Sequence, residues 1–319
     1  MNEQRAMIEE TCDRLFAAHL DEETFRSAEA GEFPQDLWAA ITESGLDRIL
    51  VSEDQGGSGL GWQDAEVVLR SAAPVPLAET IAAGWLLGQA GMDVPDGIIT
   101  LAGPEMARVP WARAAGHMLV SGVDDALVCV SLDDAEITWD RNIGRDPRDV
   151  VVLDGVETTH ERMDRVRAAG ALARSCQMAG AVSAVLDLCV TYANERVQFG
   201  RPIGRFQAIQ QQLAVMAGEA AAAGVAAQDA CRIVDAGGDL VAAAAAAKIR
   251  TGEAAGKAAN IAHQVHGAIG FTDEYRLHHL TRRLWAWRSE FGAESAWAAM
   301  LGRLVAARGA KNLWPDLTG

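Results

Sequence analysis

Basic side chains are scarce in this chain. Its 319 residues hold 28 Lys and Arg against 44 Asp and Glu, a formal net charge of −16. Phosphate contacts need a basic surface, so the balance speaks against non-specific nucleic-acid binding and equally against an anionic membrane surface. A small anionic ligand stays compatible, because it needs only a few local cations. Cysteine is sparse too. Cys12, Cys129, Cys176, Cys189 and Cys231 are dispersed, with no CxxC and no zinc-ligand spacing. An odd, scattered set fits reduced, mostly buried thiols in a cytoplasm. Long apolar runs are missing as well. The longest, Leu240 to Ala247, falls far short of the ~20 residues that span a bilayer. The start, Met1-Asn2-Glu3-Gln4-Arg5, carries no apolar signal core. The expectation is a cytoplasmic protein with no membrane segment.

Two families of motif are also lacking. The glycine-rich stretch Gly56 to Gly61 is followed by no GK[ST] and does not match GxGxxG, so it reads as a structural turn. His263 and His266 lie one helical turn apart and His278 and His279 are adjacent, but no carboxylate in the sequence completes a ligand set, so no metal is expected.

What is present is an ordinary soluble composition, 50% apolar and 23% charged, long enough for two or three domains. Residues 1–103 read as helical. Met7, Ile8, Cys12, Leu15, Phe16 and Leu20 fall on a helical spacing. A second helix starts at Pro34 and stops near Gly45, a third ends at Arg70, and a fourth spans Ala78 to Ala90. Residues 104–163 carry short β-like pieces, His117–Val120, Ala126–Ser131 and Val150–Leu153, punctuated by Gly, Asp and Pro. Residues 164–319 turn helical and Ala-rich again. Val166, Leu172, Cys176, Ala179, Val182, Leu186 and Val190 make one stripe, and further helices are expected over 206–235, 239–266 and 276–308. Small side chains let helices approach closely, which suits a four-helix bundle. The predicted fold is mainly α, with a helical N-domain, a small central β domain and a C-terminal four-helix bundle.

Chemistry concentrates in two runs. The first is Glu195-Arg196-Val197-Gln198-Phe199-Gly200-Arg201-Pro202-Ile203-Gly204, continuing to Phe206-Gln207-Ala208-Ile209-Gln210. The Arg196 guanidinium offers planar, bidentate donors of the kind that fit phosphate oxygens. The plainer reading is a surface arginine paired with Glu195. Gly200 reads as a helix stop. The second run is Gln264-Val265-His266-Gly267-Ala268-Ile269-Gly270-Phe271-Thr272-Asp273-Glu274-Tyr275, where a helix ends and two glycines bracket a tight loop.

These two runs resemble the flavin-binding signatures of the acyl-CoA dehydrogenase family, and the domain order is similar to that family's. The likeness covers nearly the whole chain and is closest over about 164–290. It implies FAD as cofactor. The Arg matching Arg196 reaches across a subunit interface to the flavin pyrophosphate, helped by the position of Gln198. Phe199 would lie against the adenine end, and the run through Gln207 shares in the contact. Gln264, Gly267 and Ala268 would face the ADP part of a partner's flavin, with Ala268 standing where the family has a second glycine.

The same resemblance makes the catalytic base the hard point. Family members place a Glu in a Tyr-Glu-Gly-Thr-like run. Here the text is Trp287-Arg288-Ser289-Glu290-Phe291-Gly292-Ala293-Glu294-Ser295. Phe291 falls on the base position and Glu290 is one residue early, so Glu290 is the candidate base and Glu294 a weaker one. A base near Gly170 is a second family solution, but Arg167 to Ala173 contains no carboxylate. The Thr-Glu-Pro-x-x-Gly-Ser and Trp-Ile-Thr/Ser runs that clasp the flavin ring are missing. The nearest text is Ala102-Gly103-Pro104-Glu105. Arg276, Arg282 and Arg283 read as solvated or acid-paired, with coenzyme A phosphates as the alternative. Trp285, Trp287, Trp297 and Trp314 are expected at an interface.

The resemblance therefore implies a shortened subunit like those of the α2β2 acyl-CoA dehydrogenases of actinobacterial steroid side-chain breakdown. It would grip the ADP end of a flavin whose ring sits in a complete homologous partner. The reaction would be α,β-dehydrogenation of an acyl-CoA, with a bulky acyl group, passing electrons to an electron-transfer flavoprotein. Two alternatives stay open: a self-sufficient homo-oligomer with Glu290 as base, and a non-catalytic scaffold.

Overall fold

The computed structural model describes residues 3–103, 106–155 and 165–318. Pro104, Glu105 and 156–164, where the expected domain boundaries at 103/104 and 163/164 fall, lie outside the described residues. The first helices are α1 (Glu3–His19), α2 (Glu22–Ala30), α3 (Gln35–Glu43), α4 (Trp62–Leu69) and α5 (Leu77–Gln89). Six short strands follow: β1 (Ile99–Leu101), β2 (Val109–Pro110), β3 (His117–Ser121), β4 (Leu127–Ser131), β5 (Glu136–Thr138) and β6 (Arg148–Val152). Then come α6 (Arg165–Glu195), the hairpin β7 (Val197–Gln198) and β8 (Arg201–Pro202), α7 (Gln207–Asp235), α8 (Leu240–His266), α9 (Leu277–Ser289), α10 (Glu294–Arg308) and α11 (Ala310–Thr318). This is the mainly α architecture with a small β layer that the sequence predicts. The β layer holds two three-stranded sheets, β1-β3-β4 and β2-β6-β5. Strand β1 pairs parallel with β3, so the layer begins ahead of residue 104.

Local chemistry explains the helix ends. Asp21 caps α2 by accepting from Thr24 N at 2.8 Å, and Gly31 closes it in the left-handed region. Helix α4 starts at Gly61, which has no side chain to cap it. The cap comes from Asp235, the last residue of α7. Its carboxylate accepts from Trp62 N at 2.7 Å and Gln63 N at 3.0 Å. A Cβ on Gly61 would lie 2.8 Å from that carboxylate.

Helix α6 is the centre of the molecule, packed on α5, α7, α8 and α9. By length and composition it could cross a membrane, but half of its apolar stretch is buried inside the chain. Gly180 marks its closest approach to the end of α4, where a Cβ would meet Arg70 O at 2.1 Å. Helix α8 buries a row of alanines, Ala243 to Ala262, and this allows the tight bundle.

Two sequence expectations need correction. The helix predicted over 276–308 breaks at 290–293, where Phe291 and Gly292 take φ of 53° and 100°. Trp287 and Trp297 lie in the chain's own core at 2% and 0% exposure instead of at an interface, while Trp314 is exposed. The five cysteines are unpaired, four of them buried.

Candidate functional site

The fold brings the two motif runs to one end of the bundle. Tyr192, on the last turn of α6, stacks on His266 at the end of α8 with ring centroids 4.4 Å apart. Arg196 N donates to Tyr192 O at 2.8 Å, and Gly267 follows His266 directly. The chain then leaves the helix through the β7–β8 hairpin. Its two turn residues, Phe199 and Gly200, both have positive φ, 51° and 78°. That is the backbone of a two-residue hairpin turn matched to strand twist. Gly200 is thus a turn residue and not the helix stop, since α6 already ends at Glu195. Left-handed backbone at Phe costs on the order of 1–3 kcal/mol. It leaves Phe199 92% exposed, edge-on to Phe206.

Arg196 is exposed, and no carboxylate pairs with it among the described residues, Glu195 included. With the Gln198 amide oriented oxygen-inward, the guanidinium donates to it at 3.3 and 2.8 Å. Gln207, at the start of α7, is exposed, as are Gln264, Gly267 and Ala268. Gly267 has φ 64° and ψ −141°, a backbone that L side chains resist. Ala268 lies in the short 3-10 turn Gly267–Phe271 without positive φ, so its methyl forces no unusual angle. A guanidinium without an acid among the described residues, three exposed carboxamides, a bare aromatic face and a left-handed glycine loop form a donor set that fits the diphosphate and adenine of a dinucleotide.

The region expected to hold the base is built differently. A cavity of about 370 Å³ lies against the β layer, lined among others by Gly103, Arg108, Pro110, Arg167, Glu290 and Phe291. Glu290 is held by four hydrogen bonds and ion pairs. Arg148 Nε and Nη2 donate at 2.8 and 2.9 Å, Asn142 donates at 2.8 Å, and Arg174 lies at 2.9 Å. Arg174 in turn pairs with buried Glu79. Burial alone would raise the Glu290 pKa, but Arg148 and Arg174 outweigh it and hold it at about 2. That is the environment of a permanently ionised structural acid. A dry pocket that raises a base toward neutrality would do the opposite.

Phe291, on the position the resemblance gives to the base, turns its ring onto Gly170. A Cβ at Gly170 would meet the ring at 2.6 Å. The loop is tied down from behind. Trp297 Nε1 donates to Phe291 O at 3.0 Å, and buried Lys248 donates to Arg288 O and Gly292 O at 2.8 and 2.9 Å. Desolvation lowers the Lys248 pKa to about 7 against the pull of Glu294 and Glu290. Glu294, the weaker base candidate, accepts from Arg288 Nε at 2.5 Å.

Sequence reasoning missed Arg148, Asn142, Arg174 and Lys248. The signal for two of them is a charged residue inside an apolar helical stripe, which is rarely buried without a partner. It also missed Glu29, which the fold places beside His278 and His279 with potential ligand atoms within 4.8 Å of one another. Arg145, Arg282 and Arg283 crowd the Glu29 carboxylate at 3.5–3.8 Å, so the positive charge a metal ion would bring is already supplied. Arg283 also pairs with Asp146 at 2.8 Å.

Comparison with known proteins gives a consistent answer. Residues 2–95 match the model of the acyl-CoA dehydrogenase N-terminal domain, and 154–303 match that of the C-terminal domain. The acyl-CoA dehydrogenase IpdE2 of Mycolicibacterium smegmatis is 30% identical over 292 residues, covering 87% of this chain and 91% of that protein. Among solved structures, a variant of the Tcur3481-Tcur3483 steroid ACAD superposes with TM-score 0.85 at 25% identity, over 97% of this chain and 99% of that one. The ChsE4-ChsE5 complex from Mycobacterium tuberculosis gives TM-score 0.83 at 22% identity, over 96% and 98%.

Proposed function

The chain belongs to the acyl-CoA dehydrogenase family of FAD-dependent oxidoreductases, and we propose that it works as the subunit that grips the ADP end of a flavin whose ring lies in a complete homologous partner. Bound FAD supplies the two-electron acceptor for α,β-dehydrogenation of an acyl-CoA thioester. In this reading Arg196 and Gln198 donate to the diphosphate, Phe199 rests against the adenine end, and Gln207, Gln264, Gly267 and Ala268 line the approach.

One observation carries the proposal. The nucleotide-fitting face is exposed and without an acid partner, while Glu290 is locked between Arg148 and Arg174 and Phe291 covers Gly170. Among the described residues the chain thus keeps one half of a divided site and offers no free base in the other. The two structural relatives described above, one a complex and one a steroid enzyme, support an α2β2 assembly and a bulky steroid side-chain acyl group. Electrons would leave through an electron-transfer flavoprotein, and the setting would be cytoplasmic. The division into 1–103, 104–163 and 164–319 remains our proposal for the domain limits, with strand β1 reaching from the first part into the β layer.

The self-sufficient reading asks Glu290 to act as base, which its two arginine partners oppose. The scaffold reading leaves the exposed, acid-free Arg196 and the left-handed Phe199 without a reason. The test is flavin content. The chain is purified alone and with a homologous full-length partner. Yellow protein only in the co-purified sample is expected; stoichiometric flavin on the chain alone would overturn the proposal.

A further inference from the structure

The stretch that follows β1 has an unusual backbone. Met106, Arg108 and Trp111 all have positive φ, 46°, 57° and 49°, within six residues. Trp111 has a packing reason for this, since it is buried edge-on against Phe33 with ring centroids 5.3 Å apart. Arg108 has none. It is exposed, and neither an ion pair nor a hydrogen bond ties down its guanidinium among the described residues. It nevertheless lines the cavity of about 370 Å³ described above. Non-glycine residues persist in this region only where something over-determines them, and such outliers gather at ligand clamps.

Charge bookkeeping points the same way. Glu290 is the carboxylate among the named lining residues, and its charge is answered twice, by Arg148 and by Arg174. Two arginines, Arg148 and Arg174, stand against two acids, Glu290 and Glu79. Among the described residues that leaves Arg108 with no carboxylate partner at the cavity, where Arg167 adds a second cation, in a protein whose net charge is −16. The apolar part of the lining is Leu101, Ala102, Pro110 and Phe291. A cavity of this size with a few convergent polar groups is within the range that holds small molecules.

We propose that this cavity binds a small organic carboxylate, its head held by the Arg108 guanidinium and its apolar body against Pro110 and the Phe291 ring. The site is separate from the nucleotide-gripping face, and none of Arg196, Gln198 or Gly267 lines it. It uses no base, so the ionised Glu290 is no obstacle. The guanidinium forms a two-point pair with a carboxylate, which an alcohol of the same chain length cannot replace.

The experiment is calorimetric titration of the purified full chain, together with its partner if the two co-purify, using hexanoate, hexanol and inorganic phosphate as probes. Hexanoate is expected to bind at least tenfold more tightly than either of the others. Arg108→Gln should erase the preference for hexanoate over hexanol. Ala107→Trp, a change at an exposed lining position, should block hexanoate with the circular dichroism spectrum unaltered. Equal binding of hexanol, phosphate competing as well as hexanoate, an undiminished preference in Arg108→Gln, or unblocked binding in Ala107→Trp would each overturn the proposal. Flavin content is no part of these measurements, so their failure leaves the subunit reading untouched, and the reverse holds too.

Discussion

Arg148 and Glu290 meet in a two-point ion pair, Nε to Oε1 at 2.8 Å and Nη2 to Oε2 at 2.9 Å, joining strand β6 to the turn between α9 and α10. Both side chains are largely buried, so the pair matters more for integrity than an exposed one would. Glu290→Gln takes the carboxylate from buried Arg148 and leaves Arg174 with Glu79 alone. It should cost about 3–5 kcal/mol, as removal of one partner from a buried pair does. Turnover of a flavin-loaded complex should be unchanged once the protein is folded. Chemical denaturation gives the first number and steady-state assay the second; a collapse of turnover without loss of stability would restore Glu290 as base.

The same pair sets an acid limit. The folded-state pKa of Glu290, about 2, lies below the ordinary value of 4.5. A depressed carboxylate contributes stability that is fully present above the unfolded pKa and lost as pH falls toward the folded one. Melting curves should therefore show stability declining between about pH 5 and 2, and the Glu290→Gln protein should lose part of that dependence. Equal slopes for the two proteins would refute the link.

Lys248 gives a slope of the same sign at the alkaline end. Its folded pKa of about 7 lies below the ordinary 10.5, so the unfolded chain holds the extra proton between those values. Stability from this group should rise with pH across about 7 to 10.5. Lys248→Met should flatten that rise, while loosening the Phe291 turn by removing the donors to Arg288 O and Gly292 O. Unfolding free energies at three pH values in that window decide it.

Arg196→Ala removes an exposed side chain whose one partner among the described residues is Gln198, so the fold should not notice. Flavin retention by the complex should fall by one to two orders of magnitude, about the 1.5–3 kcal/mol of a charged hydrogen bond. Dialysis followed by flavin absorbance measures this. Full retention would detach Arg196 from the nucleotide.

Gly180→Ala puts a methyl where Arg70 O stands 2.1 Å away. Backbone must move at the crossing of α6 and α4, at roughly 1–3 kcal/mol. A melting temperature equal to the parent's would show that the two helices are not pressed together there.

The helical stripes and the stop near Gly45 follow from periodicity and local chemistry and were readable in advance, whereas the stop at Gly31 was not read. Nor was the break at 290–293. Its left-handed turn depends on Phe291 finding Gly170, a partner fixed by tertiary packing. Likewise the state of Glu290 depends on Arg148, 142 positions away, and on Arg174 across the bundle. A carboxylate reads the same in sequence whether it is a base or an ion-pair member. Only the cations around it distinguish the two.

The carboxylate of Asp235 that accepts from Trp62 and Gln63 has a consequence for chimeras. The opening turn of α4 depends on a group supplied from the far end of the chain, so residues 1–103 are not a detachable module. A graft that replaced the bundle while keeping the amino-terminal third would leave two amide hydrogens facing nothing, unless the incoming segment carried an acid at the same spot.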